Sequence, residues 1–260
     1  MIPSFQDLTV LITGAAGGFG RSVAPMYLER GANLVLSDFN AEGLEALAST
    51  LPSDRVATLA GSVGDEAHCK ATVDLALERF GRLDVALNNA GIGHAPAPTH
   101  EVDSEQALMT VQIDLMGVFY GMKAQLPPML EAFRKEGRTS SILNVASLAG
   151  IGGAPTIGMY AAAKHGVVGL TKSAAIEYAR KGVRVNCICP SFARTPMVED
   201  GLLADGGGTK EAEDFLTRGI PMRRLAEPEE ITRSMLWLTD PSNSFMTGQA
   251  VALDGGTSAM

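Results

Sequence analysis

Tyr160 and Lys164 stand four residues apart in GMYAAAKHG, at the start of a helical stretch. That spacing puts both side chains on one helix face. A phenol normally titrates near about 10, too high for a base at neutral pH. A neighbouring ammonium favours the phenolate and lowers that value. Tyr160 can then take a proton from an alcohol as hydride leaves its carbon, or return one to a carbonyl oxygen. Ser147 follows the apolar run SILNVA, at a strand end where ligands collect in open α/β sheets, and its hydroxyl can hold the reacting oxygen. Alone, Tyr-x-x-x-Lys also describes a half-buried tyrosine beside a solvated lysine. The residues around it decide for chemistry.

Foremost among these is Thr13-Gly14-Ala15-Ala16-Gly17-Gly18-Phe19-Gly20, which joins an apolar run to a helical one near the start of the sequence. Glycines there let the backbone turn tightly and approach a pyrophosphate at the positive N-terminus of the helix. Asp38 lies about 20 residues further on, where a carboxylate can bind the hydroxyls of an adenosine ribose. A phosphate on the ribose 2′ oxygen would face that carboxylate. Like charges about 4 Å apart cost on the order of 4 kcal/mol at an effective dielectric near 20. No lysine or arginine stands at Gly17, Phe39 or Asn40 to offset it, so the expected cofactor is NAD rather than NADP.

The elements that must position these residues alternate. Apolar runs at Leu8–Thr13, Asn33–Ser37, Val56–Ala60, Asp84–Leu87, Ser141–Ala146, Val183–Ile188 and Ala250–Leu253 read as strands. Between them, helices are expected at Phe19–Arg30, Ala41–Leu51, Glu66–Phe80, Ser104–Lys135 with Pro127 and Pro128 bending it, Met159–Arg180 and Pro228–Leu238. Strand and helix in alternation predict an α/β fold, a three-layer, doubly wound, Rossmann-type parallel sheet of about seven strands. No linker or repeat divides the 260 residues, so one domain is expected. The least regular stretch, Ser191–Leu225, holds Gly206-Gly207-Gly208 and reads either as a substrate lid or as a surface loop.

This combination resembles the short-chain dehydrogenase/reductase family, in its single-domain branch, over essentially the whole chain. Besides TGAAGGFG and YAAAK, the resemblance rests on Asn88-Asn89-Ala90-Gly91, NVAS ending at Ser147, RVNCICP at Arg184–Pro190, RTPM at Arg194–Met197 and the closing TGQAVALDGG. It implies that Gly14, Gly18, Phe19 and Gly20 line the pyrophosphate and Asp38 the adenosine ribose. Asn88, Asn89, Ala90 and Gly91 would support the central sheet and the cofactor, and Pro190 and Thr195 would border the nicotinamide. Tyr160 would be the acid/base, Lys164 would bind the nicotinamide ribose, and Ser147 would place the substrate oxygen. Three positions depart from the family pattern, one of them Ser191, which replaces the glycine that often follows Pro190. Asp114, in IDLMG, stands where an Asn usually holds a water beside the lysine, and is expected to act in the same relay while favouring protonated Lys164. Ser62 replaces an Asp near the adenine, with Val63 packing on the ring.

Net charge is −8, from 21 Lys plus Arg against 29 Asp plus Glu, and no basic block offers a surface to nucleic acid or an anionic membrane. Cys69, Cys187 and Cys189 make no disulfide framework, and no Cys/His spacing suits a metal site. The opening MIPSFQDLTVLITG lacks the basic start and cleavage site of a secretory signal, and no apolar run is long enough to span a membrane, so a cytoplasmic location is expected. His94 and His100 are expected as exposed loop residues with substrate contact as the alternative, and His165 as structural. Cys187 and Cys189 should be buried, while Met197 and Leu202–Leu203 can line a pocket. The expected function is reversible hydride transfer between NAD and a small, largely apolar secondary alcohol, cyclic ones among the candidates, or its ketone. A 3-ketoacyl-thioester reductase and a non-catalytic dinucleotide sensor are the competing readings. Charged residues are 19% of the chain, which suits subunit contacts, and the family resemblance implies a homo-oligomer, commonly a tetramer.

Overall fold

The computed structural model describes residues 5–203 and 207–260, apart from the side chain of Leu202. Seven strands form one parallel sheet: β1 (Thr9–Thr13), β2 (Asn33–Asp38), β3 (Val56–Ala60), β4 (Val85–Asn88), β5 (Ser140–Val145), β6 (Val183–Pro190) and β7 (Ala250–Leu253). Their order is β3-β2-β1-β4-β5-β6-β7, so strand order reverses between β1 and β4. In open α/β sheets ligands bind in the crevice at the carboxyl ends beside such a reversal.

Side chains of successive strand residues point to opposite faces, and the core divides accordingly. Val10, Ile12, Leu34, Leu36 and Leu143 face one cluster, with Val23 and Tyr27 of α1 (Gly18–Leu28), Leu44 of α2 (Ala41–Ala48) and Met235 of the last helix. Leu11, Val35, Ala86 and Ile142 face the other, with Val73 of α3 (Glu66–Phe80), Met122 and Met129 of α5 (Gly117–Glu136) and Val167 of α6 (Gly158–Tyr178). The inner strands are thus buried on both faces, as their unbroken apolar sequences require. The edge strands β3 and β7 are only partly covered.

The helical region from Ser104 is not continuous. α4 (Ser104–Val111) and α5 are joined by a wider turn over Gln112–Met116, where the Gly117 N–H reaches back five residues to the Gln112 carbonyl. Pro127 and Pro128 lie inside α5, so the break falls upstream of the prolines. The irregular stretch after β6 contains a similar wide turn at Met197–Leu203 and a short helix, α7 (Lys210–Thr217), before α8 (Pro228–Thr239). Val198, Leu203 and Leu225 form a small core of their own there, flanked by Phe192 and Leu216. Leu203 is thus buried in that small core. Gly206 and the side chain of Leu202 lie outside the described residues.

Candidate active site

The glycine turn is built to be bare. Gly14 has φ +65°, and a Cβ there would stand 2.8 Å from the Ala90 Cα. A Cβ on Gly18 would stand 2.6 Å from Thr195 Cγ2, and one on Gly20 would overlap the Gly14 carbonyl. Any side chain would therefore strain the turn or move Thr195. α1 begins directly after this turn with no side chain capping its N-terminus, the arrangement that favours a pyrophosphate. Phe19 is turned inward, packing on the core beneath.

Thr13 and Asn89 hold this turn against β4. The Asn89 Nδ2 donates to the carbonyls of Thr13 and Gly14 at 2.9 and 3.0 Å, while the N–H groups of Asn89 and Ala90 donate to Thr13 Oγ1 at 3.1 and 3.2 Å. Asp38 ends β2 beside them. Its Oδ2 accepts from the Ala16 N–H and its Oδ1 from the Asn40 N–H, both at 2.8 Å, which fixes the carboxylate at the edge of the turn. Sequence reasoning missed Arg21, whose Nε donates to the Ala16 carbonyl at 2.7 Å. The glycine turn, the helix terminus and the fixed carboxylate together fit an adenine dinucleotide. Ser62 spends its hydroxyl on the Gly64 N–H at 3.2 Å, and the Val63 side chain presses on Gly117.

The floor below is a chain of buried amides. Asn88 lies opposite Asn144 in the β4–β5 register, and its Nδ2 donates to Asn144 Oδ1 at 2.9 Å. Gln125 returns a bond to Asn88 Oδ1 at 2.8 Å, and Asn144 Nδ2 donates to Thr171 Oγ1 at 2.9 Å. Strands β4 and β5 are thereby locked to α5 and α6 immediately under the catalytic candidates. The register partner of Asn88 was the readable sign, since polar residues facing each other in apolar strands must satisfy one another.

Lys164 is 3% exposed, and its Nζ donates to the Val145 carbonyl at 3.1 Å. Asp114, fully buried on the wide turn, brings Oδ2 to 3.2 Å from the same Nζ, while Oδ1 accepts from the Ile92 N–H at 2.8 Å. Burial acts to lower the Lys164 pKa, but Asp114 and Tyr160 outweigh it and hold the ammonium above the ordinary lysine value. Burial also raises the Asp114 carboxyl above the usual carboxylate range, against the pull of Lys164 and the Ile92 N–H. Gly91 leaves room for the pair, since a Cβ there would stand 3.1 Å from Nζ.

The ammonium lies 5.5 Å from the centre of the half-buried Tyr160 ring. Ser147 follows Val145 by two residues, and its Oγ accepts from the Ala149 N–H at 3.2 Å. The turn that Ser147 opens packs at Gly150 directly on the backbone of Lys164. Tyr160 and Asp114 thus stand around the Lys164 ammonium, and Ser147 follows two residues after the Val145 carbonyl that the ammonium bonds. Pro190 is buried at the end of β6, and Thr195 lies against Gly18.

The other expected residues divide. His165 bonds the Ala161 carbonyl at 2.9 Å, a structural role, and all three cysteines are free and buried. His100 is exposed, whereas His94 corrects the expectation: it is 8% exposed, turned inward from a loop whose neighbours Gly93, Ala95 and Pro96 are exposed. Among the described residues no helix is long and apolar enough to cross a membrane.

Comparison with known proteins agrees with this geometry. A protein-family model described as "Enoyl-(Acyl carrier protein) reductase" matches residues 14–258. Levodione reductase of Leifsonia aquatica is 40% identical, covering 98% of this chain and 96% of that protein. The 2,5-dichloro-2,5-cyclohexadiene-1,4-diol dehydrogenase of Sphingobium indicum is 37% identical, covering 97% of each. The crystal structure of levodione reductase superposes with a TM-score of 0.91 at 39% identity, covering 98% of this chain and 99% of that one. A bare glycine turn, a carboxylate at the end of β2 and a serine, tyrosine and lysine at the ends of the central strands therefore have one common origin: the chain is an oxidoreductase of the short-chain dehydrogenase/reductase family, whose members bind a nicotinamide dinucleotide.

Proposed function

We propose that this protein is an NAD-dependent dehydrogenase that interconverts a secondary ring alcohol and its ketone. The observation that carries the chemistry is the buried Asp114–Lys164 pair beside Tyr160. A buried ammonium stabilises a phenolate much more than a solvated one would. Tyr160 Oη takes the proton of the substrate hydroxyl, and Ser147 Oγ hydrogen-bonds the same oxygen and orients it. Lys164 holds the nicotinamide ribose and the phenolate charge, and Asp114 keeps Lys164 protonated and in place. When bound, the dinucleotide supplies the hydride acceptor. The reverse direction uses the same groups, with Tyr160 as acid.

Asp38 supports NAD over NADP, because its carboxylate is fixed at the glycine turn and a 2′-phosphate would meet it. The ring-alcohol class rests on the two relatives, one named for a cyclohexadiene diol and the other for levodione, and on the mostly apolar loop His94–Pro98. The segment Ser191–Leu225 serves as the substrate lid of a single domain, its two ends clasped by the Arg194 N–H to the Ala226 carbonyl and its α7 tied back by Arg194 to Glu213. Leu108, Met109 and Phe119 on α4 and α5, and Trp237 and Phe245 beyond, are exposed apolar residues that a homotetramer would cover. We place the enzyme in the cytoplasm, where three free thiols are stable.

Reduction of NAD and NADP with a panel of ring alcohols, linear alcohols and 3-hydroxyacyl thioesters tests the reading. Ring alcohols with NAD should give the highest kcat/KM, at least tenfold above NADP. The description of the matching family model favours an acyl-thioester reductase as the second reading, which acyl thioesters outrunning every ring alcohol would establish. A bound dinucleotide without turnover of any substrate would leave the sensor.

A further inference from the structure

Proton transfer here depends on two elements keeping register. Ser147 stands just past the end of β5, while Tyr160 and Lys164 ride on α6, so the helix must hold its place against the strand. Apolar contact alone does not ensure this. Val167 and Val168 are buried on α6, but apolar burial has no direction. Directional bonds set the register, and two of them join α6 to consecutive residues of β5.

The first runs from Lys164 Nζ to the Val145 carbonyl at 3.1 Å. The second comes from Asn144, whose Nδ2 donates to Thr171 Oγ1 at 2.9 Å. Thr171 follows Lys164 by seven residues, so the two share one face of α6, two turns or about 10 Å apart. Attachments at two such points oppose both rotation and sliding of the helix. Lysine has a flexible four-carbon stem, so its own bond constrains the helix less than the short Thr171 side chain does. The direction of the Asn144–Thr171 bond follows from the chain behind it. Gln125 Nε2 donates to Asn88 Oδ1 at 2.8 Å and Asn88 Nδ2 to Asn144 Oδ1 at 2.9 Å, which leaves Asn144 its amide hydrogens for Thr171. The Thr171 hydroxyl in turn bonds the thiol of Cys187, the register partner of Asn144 on β6. Gln125, Asn88, Asn144 and Thr171 are each at most 3% exposed, so losing one member leaves a buried group unpaired.

We propose that Thr171 is a positioning residue for proton transfer: through Asn144 it sets the register of α6 on β5, and with it the place of Tyr160 and Lys164 relative to Ser147. It acts through those residues, and the inference rests on their acid/base reading above.

The test compares Thr171→Val, which keeps the shape and removes the hydroxyl, with Thr171→Ser, which keeps the hydroxyl. The readouts are Tm and the pH profile of kcat for oxidation of a ring alcohol by NAD. Thr171→Val should lower kcat roughly 10-fold, inside the loss of about 100-fold that a misplacement near 1 Å can cause. It should also move the acidic limb of the profile up by about 0.5 pH unit or more, because an ammonium displaced from Tyr160 favours the phenolate less. Asp114 and Cys189 face the same ammonium and are left unsubstituted, so the limb reads the placement of Lys164. Thr171→Ser should restore both kcat and the limb. Thr171→Ala supplies the comparison if valine, which sets a methyl against Asn144 Nδ2, prevents folding. A lowered Tm with kcat and the limb at wild-type values overturns the role of Thr171 and leaves the acid/base reading standing. A limb moved as far by serine as by valine overturns it too, since packing and not the hydroxyl would then be at work. Wild-type turnover by Tyr160→Phe overturns the acid/base reading, and this inference with it.

Discussion

Replacing Asp114 with asparagine changes two atoms and sets them in conflict. The carboxylate gives Oδ1 to the Ile92 N–H and turns Oδ2 to the Lys164 ammonium. An amide has one oxygen, so it can keep Ile92 and turn an NH2 group toward the ammonium, or keep the ammonium and leave Ile92 without an acceptor. At 3.2 Å the charge pair is worth about 5 kcal/mol at an effective dielectric near 20. Both side chains are almost wholly buried, so solvent screens little of this, and removing one partner of such a pair typically costs about 3–5 kcal/mol. Lys164 has an escape, since it can lose its proton and sit there neutral. For an ordinary lysine at pH 7 that costs close to 4.6 kcal/mol, and less where burial already disfavours the charge, which sets the expected loss at about 3–4 kcal/mol.

The pH dependence carries the discriminating sign. In the wild type the Lys164 pKa is raised, so its stabilisation is full below about 10.4, the unfolded lysine value, and is lost as pH climbs through the folded value. Asp114 acts the other way in acid. Its carboxyl is raised, so the folded form resists ionisation and the resulting penalty grows as pH rises from about 4. In Asp114→Asn the largest pull against the desolvation of Lys164 is gone and only those of Tyr160 and Cys189 remain, so the folded Lys164 pKa falls and the stabilisation it brought near neutrality falls with it. The gap between the two proteins should thus be widest near neutrality, narrow toward pH 10 and close only above the folded Lys164 value. Thermal unfolding at fixed protomer concentration should show a Tm roughly 6–16 °C lower for the variant at pH 7. A drop under about 2 °C, or one equal at pH 7 and pH 10, would mean that Asp114 is not the counter-ion of Lys164.

Tyr160→Phe should lower kcat about 100- to 10,000-fold with NAD binding nearly intact by fluorescence titration; substantial residual turnover would remove Tyr160 from the acid/base role. Gly14→Ala should cost about 2–5 kcal/mol in unfolding experiments, combining a left-handed backbone with a clash against the Ala90 main chain. Gly18→Ala, which meets only the Thr195 and Pro196 side chains, should cost less stability and raise the KM for NAD instead; the opposite ranking would contradict the geometry. Asp38→Ala should shrink the ratio of NAD to NADP efficiency at least tenfold in steady-state assays, and an unchanged ratio would show that another group selects the cofactor.

The sheet was legible because seven apolar runs, each buried on at least part of both faces, carry little ambiguity once helices alternate with them. The candidate acid/base residues could be singled out because they stand at strand ends or share a helix face. What escaped depends on contacts between distant segments. Nothing in the propensities of Gln112–Met116 announces a wide turn; its sequence reads as ordinary helix, and Val63 closing on Gly117 is visible only when α5 is placed. α7 was hidden by its charge, although Thr209 before a run of acidic residues was a readable cap, and its hydroxyl does accept from the Ala212 N–H. The burial of His94 follows from ties to Asp114, Gln106 and Thr156, none of them local enough for a sequence pattern to report.

The wide turn explains why a carboxylate can serve where the family commonly has an amide. One residue added to a helix rotates everything after it by about 100°, and such turns recur at functional sites. Here the irregular turn lets α4 pass into α5 while Asp114 stays wholly buried, aimed at both Lys164 and the backbone of the loop after β4. Its two oxygens then have separate duties. Oδ2 sets the charge and position of the lysine that serves Tyr160, and Oδ1 sets the height of the loop that carries His94 two residues further on. An asparagine can perform either duty with its single oxygen but not both in this geometry. The acidic residue therefore ties the buried Lys164 ammonium to the loop after β4, and it does so through a single side chain.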